Sequence, residues 1–395
     1  MNLKKTTVII LCAAMAAAAL AGCKKEPDEA LPDDTYIMED PLAPADDAWA
    51  AEYENGRYYS IDYDAAFAAF APDAVMINAG GYNVTWAELF FHLYSNIYGM
   101  QQSFGDINDW DELMYTGTSY ADTVLAYASD NALLYKAVEY GAGLSGTSLS
   151  AEDMELLDEQ FESTAEELGG EEEYLRLLWE MDGISSRELF DYLIKTSLLV
   201  DAIITEMYGE NAENVTDDDA AEYTQYDGYM MAKHILRLKP DEGEDTARAE
   251  AEEILEMLES YTGDDFATFF EGIMWENTDD IEGAMLFPDG YLFQYGDMVP
   301  EFYDVCSELE IGEHSGIVEV SYGYHIIHRL PIDFDTIPTG SYMQNDQTTL
   351  RQLVALALFD SVLYGWKDDL APGYTTEYDS INIAAIFGIV EHEVR

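Results

Sequence analysis

Basic residues are what this 395-residue chain has least of: 17 Lys and Arg stand against 80 Asp and Glu, for a formal charge of −63. A field of that sign repels phosphate backbones, which excludes nucleic acid as a partner and favours basic or merely unfolded polypeptides. Cysteine is nearly as scarce. Cys12, Cys23 and Cys306 are too few for a disulfide framework and are spaced for no zinc site. The six histidines, His92, His234, His314, His325, His328 and His392, form no His-Glu-x-x-His or comparable motif, so neither a metal nor another cofactor is expected. Beyond the N-terminus no run reaches 18 apolar residues, the length that marks a membrane-spanning helix. What the chain does have is a hydrophobic fraction of 48%, enough to bury sizeable cores in two or three folded units.

Residues 1–22 read as an export signal, with Lys4 and Lys5 before an apolar run from Thr6 to Leu20. The run ends in Leu20-Ala21-Gly22-Cys23, which resembles the bacterial lipobox; the plainer alternative is a buried cysteine after a signal. The resemblance implies cleavage before Cys23 and lipidation of its thiol by a diacylglyceryl group, with palmitate as the expected acyl modification. Lys24 and Lys25 would then meet anionic headgroups. Residues 23–51, rich in Pro, Asp, Glu and Ala, read as a flexible acidic tether. The folded part is therefore expected outside the cytoplasm, held to the bacterial cell membrane by lipid.

The mature chain divides by texture. Residues 52–228 are expected to be mainly helical. Ala74 to Val84 reads as a strand–turn–strand around Gly80-Gly81, followed by a capping box, Thr85 to Glu88, that opens a helix bearing Leu89, Phe90, Leu93, Ile97 and Met100. Further helix starts fall at Ser150 to Asp153, Ser185 to Glu188 and Thr216 to Asp219. The aromatic and Met stripes read as helix–helix packing, or as partly exposed surface suited to unfolded chains. From residue 229 to 330 the pattern becomes strand, helices and strands. Met230 to Leu238 alternates, Thr246 to Tyr261, Phe266 to Ile273 and Glu301 to Leu309 are helical, and Ile317 to Val320 and Tyr324 to Ile327 flank a turn. In residues 331–395, Thr348 to Leu370 is a helix with Leu350, Leu353, Val354, Ala357, Leu358 and Val362 on one side. It pairs naturally with the first helical region. The fold class expected is α+β, a small antiparallel sheet with surrounding helices inserted into an all-α domain.

Three patches in order, Ala232 to Leu236, Gly296 to Phe302 and Gly312 to Ile327, make residues 229–330 resemble a parvulin-type peptidyl-prolyl isomerase domain. With the lipobox and the flanking helices, the chain as a whole resembles the PrsA/SurA-like extracytoplasmic foldases. The resemblance implies isomerase activity on X–Pro bonds of unfolded or nascent exported proteins. Position by position, His234 and His325 match the paired core histidines, and Met298 and Phe302 match the apolar residues that receive the proline ring, with Phe293 lining the same pocket. The family places a cysteine or aspartate opposite the histidines. Counting from Phe266 reaches Glu276, matching back from Pro288 to Tyr291 reaches Asn277, and Asp279 lies two residues further on. Asn277 would put an amide where a carboxylate belongs, which motivates a second reading, a catalytically weak holdase. A third is a lipoprotein that binds cations or a basic partner. The loop Lys239 to Asp245 lacks the arginine cluster of phosphate-directed relatives, so a phosphorylated substrate is not expected.

The two histidines can set the polarity of a pocket and brace the sheet at once. His314 and His328 read as solvated, Cys306 as a small buried apolar residue, and acidic runs such as Glu171 to Glu173 as solvated helix faces.

Overall fold

The computed structural model describes residues 57–105, 107–240, 246–344 and 346–393. The expected signal, the lipobox with Cys23, the tether and residues 241–245 of the loop after the first strand of the isomerase-like segment lie outside the described residues. The chain forms two compact units, one of residues up to Ile203 together with Ser361 onward, the other Ile204–Asp360.

The first unit begins with β1 (Arg57–Ile61), α1 (Tyr63–Phe67), β2 (Val75–Asn78) and β3 (Val84–Thr85). β2 and β3 pair antiparallel around Gly80 and Gly81, whose φ of 63° and 105° suit residues without a Cβ. The Thr85–Glu88 capping box is formed and opens α2 (Trp86–Phe104), which buries Trp86, Leu89, Phe90, Leu93, Ile97 and Met100. Next come α3 (Tyr120–Ser145), α4 (Ala151–Leu168), α5 (Glu171–Asp182) and α6 (Arg187–Tyr208). α6 starts one position later than its sequence signal, with Ser186 Oγ accepting from Leu189 N–H at 3.2 Å. Rings of Phe67, Phe90, Trp179 and Phe387 stack in the core. Lys136 is buried there against Glu88 at 2.7 Å.

The second unit opens with α7 (Asp217–Asp227), capped by Thr216, and β4 (Met230–Leu238). It continues through α8 (Ala247–Glu259), α9 (Phe266–Asn277), α10 (Ile281–Leu286), β5 (Tyr291–Phe293), α11 (Pro300–Glu308), β6 (Val318–Glu319), β7 (Gly323–Leu330) and α12 (Thr339–Met343). The sheet order is β5-β4-β7-β6, antiparallel throughout. Alternation along β4 and β7 divides the side chains between two faces. Met230, Ala232 and Ile327 join Phe293, Phe302 and Cys306 on the α11 side, while Ile235 and Ile326 join Ile254, Leu258, Phe270 and Met274 under α8 and α9.

α13 (Leu350–Asp369) belongs to both units along its length. Leu350 packs with Tyr229, Met231 and Leu292, and Val354 and Ala355 with Val215 and Ala220. In the first unit Trp366 lies against Gly141 and Lys367 pairs with Asp130. The buried stripe is Leu350, Val354, Ala355, Phe359 and Leu363; Leu353, Leu358 and Val362 are only half-buried or exposed at their outer edge, as is Ala357. The buried side is therefore rotated from the expected one, with Ala355 drawn in against Ala212, Val215 and Ala220. The chain then adds β8 (Gly373–Tyr374), α14 (Thr376–Asp379), α15 (Ile383–Ile386) and β9 (Ile389–Glu393) to the first unit. β8 pairs with β2 and β9 with β1, so that unit combines helices with two small sheets. Among the described residues no helix is long and apolar enough to cross a membrane.

Candidate active site in the second unit

The register of β4 on β7 sets His234 opposite Ile327 and Leu236 opposite His325, so the two histidines are diagonal neighbours on the α11 face. Their Nδ1 atoms are 3.1 Å apart and both rings are buried. His234 Nε2 reaches Asp280 Oδ2 at 3.1 Å, and the Tyr291 hydroxyl donates to the same oxygen at 2.5 Å. Asp280 is also the N-cap of α10, accepting from Gly283 N–H at 3.1 Å.

The residues just before Asp280 place it. Thr278 Oγ1 accepts from Leu236 N–H at 3.1 Å, Asp279 N–H donates to Leu236 O at 2.8 Å, and Asp279 Oδ2 accepts from Leu238 N–H at 2.8 Å. This short tie to the end of β4 delivers the next carboxylate beneath His234.

The hydrogen bond from His234 holds the Asp280 carboxyl down to about 2 against the opposing cost of burial, with Tyr291 helping. Burial, with the neighbouring His234, lowers His325 to about 3, so its ring is neutral at physiological pH. Because Asp280 is an acceptor, His234 donates through Nε2. One proton lies between the two facing Nδ1 atoms. His325 Nε2 is buried without a hydrogen-bond partner.

The apolar floor follows from α11. Pro300 starts that helix, and Phe302 stands edge-on to His234 at 5.4 Å and to His325 at 5.5 Å. Met298 is half-buried on the same cluster. Phe293 is wholly buried, edge-on to Phe302 at 5.6 Å, and backs that ring instead of lining an open surface. Tyr322 completes the rim: 42% exposed, it stands edge-on to the His325 ring at 5.7 Å.

The structure thus brings together His234, His325, Met298 and Phe302 and does not bring Asn277 or Asp279 to the histidines. Asn277 Nδ2 donates back to Ile273 O at 2.8 Å within α9, while Asp279 pairs with Arg237 at 2.9 Å. Glu276 is exposed. The carboxylate opposite the histidines is Asp280, which counting from either side misses because the tie to β4 adds residues between helix and site. Asp280 followed by the short apolar helix Ile281–Leu286 is itself an N-cap signal that could have found it. His328 is not solvated, since it shares the Ile326 face of β7. It is buried against Phe266 and Phe270, and burial lowers it to about 4. His314 is half-buried and stacks on Phe266 at 5.1 Å. Cys306 is buried as expected, its thiol pushed up to about 11. No group of side chains among the described residues could hold a metal ion.

Residues 234–330 match the family described as rotamase, PPIC-type PPIase domain. Two curated relatives are similar to this chain. The foldase protein PrsA of Halalkalibacterium halodurans is 31% identical over 179 residues, 44% of this chain and 49% of that protein. The foldase protein PrsA of Caldanaerobacter subterraneus subsp. tengcongensis is 33% identical over 165 residues, 39% of this chain and 48% of its own. The chain thus spans about half the length of the curated relatives it matches. Among solved structures, PrsA from Bacillus subtilis aligns over 76% of this chain and 93% of its own at 18% identity, with a TM-score of 0.23. NmPin, the parvulin of Nitrosopumilus maritimus, aligns over 26% of this chain and 96% of its own at 28% identity, with a TM-score of 0.20. Those TM-scores are too low for either superposition to bear on the overall arrangement. The sequence match falls on the sheet that carries the histidine pair, and residues 234–330 are accordingly a PPIC-type peptidyl-prolyl isomerase domain.

Proposed function

We propose that the chain is a membrane-anchored foldase outside the cytoplasm that catalyses cis–trans isomerisation of X–Pro bonds in exported proteins. The observation that carries this reading is the hydrogen-bonded row His325, His234, Asp280 lying against Phe302 on one face of the sheet.

Rotation about a peptide bond faces a barrier of ~18–20 kcal/mol because twisting breaks amide resonance, and no covalent bond need form to lower it. Phe302 supplies an apolar floor, and Met298, unbranched and half-buried, is the side chain that yields to admit a proline ring. The ionised Asp280 and the unpartnered His325 Nε2 are fixed before substrate arrives, so they meet the charge redistribution of the twisted amide without reorganising. The holdase reading draws on an amide at Asn277; with Asp280 supplying the carboxylate, that motive is gone.

Holding unfolded chain is a role for the helical unit, which exposes Leu144, Leu156, Leu168 and Met181. The export signal and lipobox support anchorage through Cys23 and a site of action on exported chains.

The test is NMR exchange of short X–Pro peptides with the full chain. Met298→Ala should lower kcat/KM about fivefold or more, roughly the loss of one well-packed apolar contact. Phe302→Leu, which keeps most of the core volume, should do the same. Undiminished rates in both folded variants would remove the pocket assignment.

A further inference from the structure

We infer that Tyr342, which lies beyond residues 234–330 matched to the isomerase family, is a positioning residue of the active site: through Phe287 and Tyr291 it holds the Asp280 carboxylate in place under His234. The inference rests on the isomerase reading and adds to it a residue from outside the matched domain.

A row of contacts joins the two. Tyr342 sits in α12 and stands edge-on to Phe287, with ring centroids 5.2 Å apart at 73°. Phe287, the C-cap of α10, lies 4.9 Å from the Tyr291 ring. Tyr291 in turn lies 5.1 Å from the His234 ring and donates its hydroxyl to Asp280 Oδ2 at 2.5 Å. Gly283 of α10 leaves the room for that hydroxyl, since a Cβ there would collide with it. The fit around Tyr291 is therefore close, and its ring must be held at one angle for the hydrogen bond to form.

Asp280 and Phe287 cap opposite ends of α10, so a ring packed on Phe287 steadies the short helix at the end away from the carboxylate. Phe287 and Tyr342 are both half-buried. With Tyr342 truncated, Phe287 can turn into the vacated space, and Tyr291 loses the neighbour that keeps its hydroxyl on Asp280. α12 itself has a fixed seat. It packs on β5, the strand that carries Tyr291, and it approaches the loop before Met298 so closely that a Cβ on Gly340 would lie 2.9 Å from Asp297 Oδ1. The other carboxylate oxygen of Asp297 accepts from Gln294 N–H at 2.9 Å, which ties that loop down. A helix so placed can transmit a firm contact to the site.

The test is a double-mutant cycle, read as kcat/KM of the full chain by NMR exchange of a short X–Pro peptide. Tyr342→Ala should cut kcat/KM about fivefold, the scale of one aromatic contact in the row. Tyr342→Phe, which keeps the ring, should match the unmodified chain. In a Tyr291→Phe background, where the row has no hydroxyl left to aim, Tyr342→Ala should cost less than about twofold. Phe287→Leu should repeat both results, and it stands in if Tyr342→Ala does not fold. An undiminished rate in Tyr342→Ala, or a loss of the same size in both backgrounds, would overturn the inference. No acceleration by the unmodified chain would overturn the isomerase reading on which it stands.

Discussion

The histidine pair is legible through the resemblance of Ala232 to Leu236 and Gly312 to Ile327 to a parvulin-type domain. Residues two apart in a strand share a face, so a strand over Met230 to Leu238 puts His234 with Met230 and Ala232. The partner carboxylate is not legible. Asp280 owes its place to three hydrogen bonds between Thr278–Asp279 and the end of β4, and no periodicity reports those. Tyr291 escapes sequence reasoning as well, and its hydroxyl is the closest polar contact Asp280 has, 2.5 Å against 3.1 Å for His234. Hydrogen bonds to charged groups contribute about 1.5–3 kcal/mol. Tyr291→Phe should therefore leave the fold intact and slow isomerisation about tenfold, as Asp280 loses a partner that keeps it ionised and aimed. A rate equal to that of the unmodified chain would make Tyr291 a packing residue only.

At the scale of elements, long periodic segments show their bounds to within a few residues, and short ones show only where a turn or a cap frames them. β4 lies at its expected bounds, and α8 within two residues of them at each end. α10 and β5 have six and three residues, too few for periodicity to show, although they present Asp280 and Tyr291, and only the N-cap Asp280 marks α10 in the sequence. His328 is misjudged for a related reason. The apolar run gives out at Ile327, while β7 goes on to Leu330 and keeps His328 in alternation with Ile326. Close approach of β4 and β7 explains one glycine. A Cβ on Gly323 would lie 2.6 Å from Arg237 O, a backbone atom that cannot swing aside. Gly323→Ala should destabilise the unit by about 2 kcal/mol through forced separation of the two strands. Chemical denaturation would show it, and an unchanged midpoint would contradict the close pairing.

At the scale of the whole molecule, the acidic composition carries the expectation of basic or merely unfolded polypeptide partners. With 80 acidic side chains against 17 basic ones, Lys233, Arg237 and Lys239 of the second unit each lie within ion-pair distance of a carboxylate. The change of texture near residue 229 marks where the sheet begins, at Met230, whereas the compact unit that holds the sheet starts earlier, at Ile204, and runs on to Asp360. The strand pairs that close the first unit, β1 with β9 and β2 with β8, are invisible in the sequence, because partners separated by some three hundred residues leave no local signal. The proposed isomerase activity rests on one arrangement, the carboxylate of Asp280 beneath the two histidines. The measurement that tests it most directly is the isomerisation rate of an X–Pro peptide with the full chain, its Asp280→Asn variant and its Asn277→Ala variant side by side. The arrangement predicts a loss of roughly 100-fold for Asp280→Asn, the scale of removing one preorganised electrostatic group, with Asn277→Ala close to the unmodified chain. Full activity in folded Asp280→Asn, or a collapse confined to Asn277→Ala, would contradict it.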